Sequence, residues 1–301
     1  MWFILALAAM LCWSGSDIFS KLGSEQNDKY SHFKMVIFVG FVMGIHAVIT
    51  IVFGTRVTVS DILQYLPVSL LYISSMILGY VGLRYIELSV SSPICNSSGA
   101  IAAIFCFLIL KQELDTLSLI GVVLVCLGVI SLGIVEMRED DEARALRQMS
   151  ANRKYSKSFI ALLLPLMYCL LDAAGTFADA LVLETLDEDV ANTAYELTFL
   201  LMAVISFIYV VIIKREKLTF SRDKYKGVAA VCETVGQFAY VYAIADYAIG
   251  AAPIISAYCV LSAVWGRIFL KEKLSKKHYA VIVVVILGII LLGVAEGLYS
   301  E

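Results

Sequence analysis

The sequence predicts an all-α integral membrane protein whose ten transmembrane helices form two inverted five-helix repeats. Of its 301 residues, 60% are hydrophobic and only 16% are charged, whereas soluble globular chains are about half apolar and a quarter charged. The apolar residues lie in runs of about 20, the length that crosses a bilayer core of ~30 Å. The stretch Ser91–Glu136 also has a second copy, Ala251–Glu296.

The two copies of this stretch align without a gap. The shift in numbering that carries Pro93 to Pro253 also carries Gly128 to Gly288. Each copy predicts a Pro-started apolar helix, a tight polar turn and a second apolar helix. A gapless repeat of this length indicates internal duplication, and in membrane proteins such duplication commonly gives two halves that face one another.

Ten apolar runs predict the ten spans, and each run ends at charged or turn-forming residues. Most of the connections are short, so neighbouring spans are expected to be antiparallel. The predicted spans are Trp2–Leu22, His32–Phe53, Ile62–Arg84, Ser92–Leu110, Leu117–Val135, Ser158–Val182, Val190–Ile213, Lys224–Asp246, Ala251–Leu270 and Lys276–Leu298.

The spans divide into a first repeat, residues 1–136, and a second repeat, residues 158–301. The segment 137–157 between them is rich in both signs of charge and lacks an apolar period, so it is predicted to be a connecting surface loop. Because each repeat has an odd number of spans, the second repeat enters the membrane from the opposite side. The repeats are therefore expected to be related by a two-fold axis in the membrane plane.

Basic residues predict the orientation. Of the 23 Lys and Arg residues, all but Arg56 and Lys111 fall in loops after odd-numbered spans or at the adjoining helix ends. Loops with an excess of Lys and Arg remain in the cytoplasm. This rule places the loops after odd-numbered spans in the cytoplasm and both termini outside.

Several classes of partner are excluded by composition. The net charge is −3, and no basic patch is interleaved with aromatic residues, so nucleic acid is not an expected partner. All seven cysteines lie in apolar runs without a C-x-x-C pair, which favours helix packing over a disulfide or metal role. His32, His46 and His278 form no metal-ligand spacing, and no cofactor or metal is expected.

Several acidic residues lie within predicted spans, where an ionisable side chain costs roughly 2.5–3.5 kcal/mol to insert. Asp17 and Asp172 stand at equivalent depths in spans one and six, and Glu233 lies in the middle of span eight. We interpret all three as candidate cavity residues. Pairing with Lys21 remains an alternative for Asp17, and a structural ion pair remains one for Glu233. Asp179, near a helix end, is expected to be solvated.

Polar and aromatic stripes accompany these acids on single helical faces. The i, i+4, i+7 spacing that defines one face is shared by Asp172, Thr176 and Asp179, by Glu233, Gln237 and Tyr240, and by Tyr258, Ser262 and Trp265. Facing polar stripes predict a wet interior cavity, with Trp13, Tyr80, Tyr240, Tyr258 and Trp265 as candidate walls. Asn96 begins a small-residue face, which ligand contact and close helix packing explain equally well.

Three segments resemble the drug/metabolite transporter superfamily, and specifically its ten-helix EamA-like transporters. The segment Cys12–Lys21 resembles that family's Trp-Gly-Ser-Asn/Ser-Phe opening, and Leu110–Leu114 and Leu270–Leu274 resemble its Leu-Gly-Glu-x-Leu turn. The Gly of that turn is Lys in both copies, and the family usually has cytoplasmic termini. The resemblance implies an inverted five-plus-five bundle that exports or exchanges small metabolites through a central cavity.

We therefore expect a secondary active transporter that moves a small organic metabolite across the bilayer by alternating access. Protons are a candidate coupling ion through Asp172 and Glu233, and the cell membrane is the expected location. A membrane-embedded enzyme is an alternative, but no catalytic constellation occurs. A non-transporting scaffold or receptor is another, but it would not need two mirrored halves with embedded acids. The substrate stays open among amino acids, sugars, nucleotide-linked sugars and cationic drugs.

Overall fold

The computed structural model describes residues 1–24, 28–85, 88–112, 114–138, 159–269 and 274–299. Within these residues the chain forms helices and no strand. The helices are α1 (Trp2–Gly23), α2 (Ser31–Val52), α3 (Val59–Gly82), α4 (Leu88–Asn96), α5 (Ser98–Leu108), α6 (Thr116–Met137), α7 (Phe159–Val182), α8 (Glu188–Phe207), α9 (Phe220–Ser256), α10 (Tyr258–Phe269) and α11 (Lys276–Tyr299). A π-helical turn, Ile208–Ile213, continues α8. The predicted connecting loop, 137–157, lies almost entirely outside the described residues.

Nine segments of the described chain are long and apolar enough to cross a membrane. Predicted spans eight and nine fall together in one of them, Asp223–Phe269, which has 47 residues. A straight helix of this length would measure roughly 70 Å, about twice the thickness of a bilayer core. The segment is not straight, because Tyr247 has non-helical backbone angles (φ −157°, ψ 80°).

The positions of Pro93 and Pro253 correct the prediction of a Pro-started helix in each copy. Pro93 lies inside α4 and Pro253 inside α9. The helix breaks four residues later in each copy, at Ser97 (φ −62°, ψ −10°) and at Ala257 (φ −68°, ψ 0°). The Ser97 amide donates to the Pro93 carbonyl at 3.2 Å, and the Ala257 amide donates to the Pro253 carbonyl at 3.1 Å. The predicted span Ser92–Leu110 is therefore two helices rather than one.

The central helices are the ones that break. In the segment Asp223–Phe269, 83% of the most apolar window is buried, and in Ser91–Leu108 the share is 67%, against 28% in Lys276–Leu298. The outer helices direct large apolar side chains outward, among them Leu298 (63% exposed) and Ile45 (62%). A contiguous apolar surface of this kind matches lipid rather than water.

The helices pack in pairs drawn from the two halves of the chain. α1 packs on α9, α3 on α7, α2 on α8 and α6 on α11. At the last crossing a Cβ atom on Gly128 would lie 2.3 Å from Val285 Cγ2, and one on Gly288 would lie 2.8 Å from Val125 Cγ2. Each glycine therefore lets the backbones approach closely, which is how helices associate in lipid.

The turn after α5 explains one departure from the family pattern. Lys111 has a positive φ of 52°, a left-handed conformation that glycine adopts without strain and other residues adopt at a cost. It stands where the resembled turn has Gly. The backbone therefore keeps the geometry of the glycine turn although the side chain is Lys.

Candidate functional site

A cavity lies between the two halves, beside both helix breaks. With its opening to solvent, the space amounts to about 940 Å³. Residues of α1, α3, α4, α7, α8 and α9 line it, together with Tyr258 at the start of α10. Ten of the predicted site residues are in its wall: Trp13, Asp17, Tyr80, Asn96, Asp172, Thr176, Glu233, Gln237, Tyr240 and Tyr258.

Three carboxylates face this cavity, and serine hydroxyls bind each of them. Asp17 accepts hydrogen bonds from Ser92 Oγ at 2.6 Å and from Ser262 Oγ at 2.8 Å. The Ser92 hydroxyl comes from α4 and the Ser262 hydroxyl from α10, so one carboxylate joins elements of both halves. It is α1, the most tightly packed partner of α9, that positions Asp17 between them.

The other two carboxylates have the same chemistry. Asp172 accepts a 2.7 Å hydrogen bond from Ser98 Oγ, the first residue of α5 after the break. Glu233 accepts a 2.6 Å hydrogen bond from Ser16 Oγ. Serine hydroxyls stabilise a carboxylate without neutralising it.

No ion pair within the described residues involves these three carboxylates. Lys21, the alternative partner for Asp17, donates from Nζ to the Leu83 carbonyl at 2.7 Å. The described ion pairs of buried lysines lie elsewhere, between Lys34 and Asp28 at 2.8 Å and between Lys226 and Asp223 at 2.7 Å. The described ion pairs therefore provide no cation that would offset these carboxylates when they are ionised.

Aromatic rings form much of the remaining wall. The Trp13 ring stacks on Tyr240 with centroids 5.0 Å apart, and it meets the Tyr258 ring edge-on at 6.0 Å. The Tyr72 ring is nearly perpendicular to that of Tyr240, at 89°, and to that of Tyr195, at 84°. The rings are consequently joined in a continuous bent wall.

Three polar atoms in the cavity wall are buried without a hydrogen-bond partner. They are Trp13 Nε1, the Tyr80 hydroxyl and Gln237 Nε2. Buried polar atoms are normally satisfied by protein or by ordered water. All three belong to residues of the cavity wall, so they are candidate donors to a molecule that enters it.

Two of the predicted residues lie behind the wall rather than in it. Ser262 reaches the cavity only through its hydrogen bond to Asp17. Trp265 Nε1 donates to Ser14 Oγ at 3.1 Å, so this indole joins α10 to α1. Asn96 does line the cavity, but its amide is occupied locally and donates to the Ser92 carbonyl at 2.7 Å.

Asp179 corrects the expectation of a solvated residue near a helix end. Its side chain has 0% exposure, and Oδ1 accepts a 2.6 Å hydrogen bond from the Tyr65 hydroxyl. Nearby, the Tyr72 hydroxyl donates to Thr176 Oγ1 at 3.2 Å and forms a hydrogen bond with the Tyr240 hydroxyl. We call these five residues the tyrosine layer. Sequence reasoning missed the layer because Tyr65 and Tyr72 come from α3.

The serines that bind the carboxylates were also missed. Ser16, Ser92 and Ser98 read as small packing residues in a sequence rich in Ala, Gly and Ser. A usable signal was present for Ser92 and Ser98, since both lie close to Pro93 in an otherwise apolar run. The side chains near a broken membrane helix commonly serve ligand or ion sites.

Comparison with known proteins gives the family. The EamA-like transporter family matches residues 1–134 and 159–294, which is most of the chain in two segments. The chain belongs to the EamA-like transporter family. It is accordingly a multi-pass integral membrane protein and a membrane transporter of the drug/metabolite type. The resemblance drawn from the sequence is confirmed.

The fold is shared with solved proteins at low sequence identity. One crystal structure superposes with a TM-score of 0.65 at 13% identity, covering 98% of this chain and 96% of the other. At that identity the likeness shows the fold alone. No curated protein matches the chain by sequence. The EamA-like assignment therefore rests on the family match, and the site must be interpreted from its own residues.

Proposed function

We propose that the protein is a secondary active transporter that moves a small organic metabolite by alternating access, with protons coupled through Asp172 and Glu233. The observation that carries the proposal is the set of three carboxylates in the central cavity, whose hydrogen bonds within the described part of the chain come from serine hydroxyl groups. An ionised carboxylate inside a membrane is costly, so such residues commonly mark ion or substrate pathways.

The same proposal includes ten membrane crossings. One end of the bundle joins the start of α1 to Asp246, where the Trp2 amide donates to Oδ2 at 3.0 Å. At this end the Ile249 amide also donates to Gln112 Oε1 at 3.0 Å. Later in the chain, Trp265 packs against a cluster of Ile18, Leu83 and Leu88 at the other end. The chain therefore lies at one end of the bundle near Tyr247 and at the opposite end near Trp265. This change of side supports two membrane crossings within Asp223–Phe269.

An inverted two-fold relation between the halves is supported by the helix pairs. Exchanging the five spans of one repeat for those of the other converts the α1–α9 pair into the α7–α3 pair, and both pairs are present. The pairs α2–α8 and α6–α11 convert into themselves. At the latter crossing Gly128 contacts Val285 and Gly288 contacts Val125. The shift that carries Pro93 to Pro253 also carries Gly128 to Gly288 and Val125 to Val285, so the two contacts are equivalent.

Alternating access needs a site that can be closed from one side at a time. The tyrosine layer lies toward the end of the bundle where α3 begins and α7 ends, and its residues are 0–6% exposed. We propose that it closes the cavity at that end. Closing the cavity around a carboxylate requires a proton or a cationic group to neutralise it, because an unpaired charge is costly to desolvate. Neutralisation and closure are thereby coupled.

The test is flux in proteoliposomes that contain a pH-sensitive dye. Amines, amino acids, sugars and nucleotide-linked sugars are added outside, and substrate-dependent movement of protons is recorded with and without an imposed pH gradient. We expect Asp172→Asn and Glu233→Gln to abolish substrate-dependent proton movement, while Glu184→Gln, at an exposed loop residue, retains it. Undiminished proton movement in both cavity variants would contradict the coupling. Orientation and the cell membrane as location stay predictions from the sequence.

A further inference from the structure

The carboxylic acids in the described lining of the cavity have no basic counterpart there. Its described lining includes Asp17, Asp172 and Glu233 but no Lys, Arg or His. An anionic substrate would bring a fourth negative charge into a site with no described cationic side chain. A neutral substrate would leave three carboxylates to be neutralised by protons alone. A positively charged substrate offsets the charge directly, because opposite charges attract strongly at low dielectric.

The aromatic wall suits the same kind of substrate. Seven of the described lining residues are Trp or Tyr: Trp13, Tyr72, Tyr80, Tyr168, Tyr195, Tyr240 and Tyr258. The Tyr72 ring meets two neighbours at 84° and 89°, and Trp13 meets Tyr258 at 74°. Rings at right angles form the corners of an aromatic box, and such boxes bind ammonium groups through their π faces.

The unpartnered polar atoms supply a second requirement, independent of charge. Tyr80 is 8% exposed and Gln237 is 3% exposed, yet the Tyr80 hydroxyl and Gln237 Nε2 have no hydrogen-bond partner among the described residues. Trp13 Nε1 is buried and unpartnered in the same wall. An amide N–H and an indole N–H can only donate. A substrate that satisfies them must carry a hydrogen-bond acceptor.

We infer that the substrate is an organic cation that also carries an acceptor oxygen, with its ammonium group held by the carboxylates and the aromatic box and its oxygen by Gln237, Trp13 and Tyr80. This inference rests on the proposed transport function and specifies the substrate class. It excludes anions, and it separates the substrate from purely apolar cations, which would leave the three donors unsatisfied. An unmet buried donor weakens binding because its desolvation is not repaid.

The binding test uses matched probes on the purified protein. Benzoylcholine has a fixed positive charge and an ester carbonyl, 3,3-dimethylbutyl benzoate is its neutral isostere, and (4-phenylbutyl)trimethylammonium keeps the charge without the acceptor. Phenylalanine serves as a zwitterion. We expect benzoylcholine to bind about tenfold or more tighter than the neutral ester, as a desolvated cation–π and charge contact implies. We expect a preference of about fivefold over the phenylbutyl cation, the value of one net hydrogen bond.

Variants assign these preferences to residues. Glu233→Gln should weaken benzoylcholine binding about tenfold without changing the affinity of the neutral ester. Tyr80→Phe and Gln237→Leu should remove the preference for benzoylcholine over the phenylbutyl cation. Ser69→Ala is the matched control, because Ser69 Oγ is also buried and unpartnered but lies outside the cavity wall. It should leave every affinity unchanged.

The possible outcomes separate the substrate class from the function. Equal binding of the neutral ester or of phenylalanine, or no saturable binding of either cation, overturns the inferred class. Equal binding of the two cations overturns the role of the donors. Uptake into proteoliposomes then tests transport. If benzoylcholine binds but does not cross, the transport function is contradicted and the cation site is retained. If zwitterions or neutral compounds are taken up in place of cations, the transport function is retained and the cationic substrate class is contradicted.

Discussion

Replacing Gly128 by Ala tests whether α6 and α11 cross as closely as the inverted arrangement requires. The new Cβ would lie 2.3 Å from Val285 Cγ2, well inside ordinary contact, and Val285 is fully buried. Either the valine leaves its rotamer or the helices separate. Overpacking of this kind costs about 1–3 kcal/mol, of which the better helix propensity of Ala returns up to ~1 kcal/mol. We expect a net loss of stability in thermal unfolding of the purified protein.

A compensating change on the partner helix makes this test specific. Val285→Ala removes the methyl group that the new Cβ would strike, so Gly128→Ala should cost much less in a Val285→Ala background. A double-mutant cycle should give a coupling of about 1–2 kcal/mol. At the equivalent position, a Cβ on Gly288 meets Val125 Cγ2 at 2.8 Å but also the Gly121 carbonyl at 2.9 Å. Because no side-chain substitution removes the Gly121 carbonyl, Val125→Ala should restore the stability of Gly288→Ala only in part.

The control for both variants is Gly297→Ala in α11, where a new Cβ meets nothing within 4 Å. It should be neutral or slightly stabilising. If Gly128→Ala unfolds at the same temperature as Gly297→Ala, or if Val285→Ala gives no rescue, the crossing is looser than described and the main contact evidence for a two-fold relation is lost.

Two further predictions concern the tyrosine layer and the turn after α5. Tyr65→Phe removes the donor to fully buried Asp179, which should destabilise the protein by about 1.5–3 kcal/mol, the range for hydrogen bonds to charged groups. Tyr279→Phe, the same change on a 47% exposed ring, should have little effect in the same unfolding assay. Equal effects of the two substitutions would show that Tyr65 does not stabilise Asp179. Lys111→Gly should be more stable than Lys111→Val by about 1–2 kcal/mol, because a β-branched residue is strained at positive φ; the reverse order would contradict the left-handed turn.

Composition and periodicity were enough to predict a helical membrane protein, and the resemblance of three short segments indicated its family. Lipid cannot satisfy backbone polar groups, so long apolar runs are restricted to helices. The family match confirms the resemblance carried by Cys12–Lys21 and the two turn motifs. Candidate cavity acids could be selected from the sequence, because a charged side chain inside an apolar span is costly whichever helices that span contacts. That reasoning selected Asp17, Asp172 and Glu233, all of which line the cavity; their role in coupling stays a prediction.

Contacts between helices were beyond what the sequence could decide. Asp179 is only three residues from the end of α7, and its burial depends on Tyr65, which is far away in the chain. Ser262 and Trp265 share a helical face with Tyr258, but only Tyr258 lines the cavity, because α1 covers the other two. A helical period shows which residues share a face and cannot show what covers each part of that face.

The sequence by itself determined the membrane class, the family, the duplication and the residues too polar to face lipid, because each of these follows from local cost or from internal similarity. The tertiary structure alone decided where helices break, which hydroxyl binds each carboxylate, and which polar atoms are left without a partner. Those features depend on side chains from α1, α3, α4 and α9 meeting at one place. Their energies depend on distances between helices, which no single stretch of sequence contains.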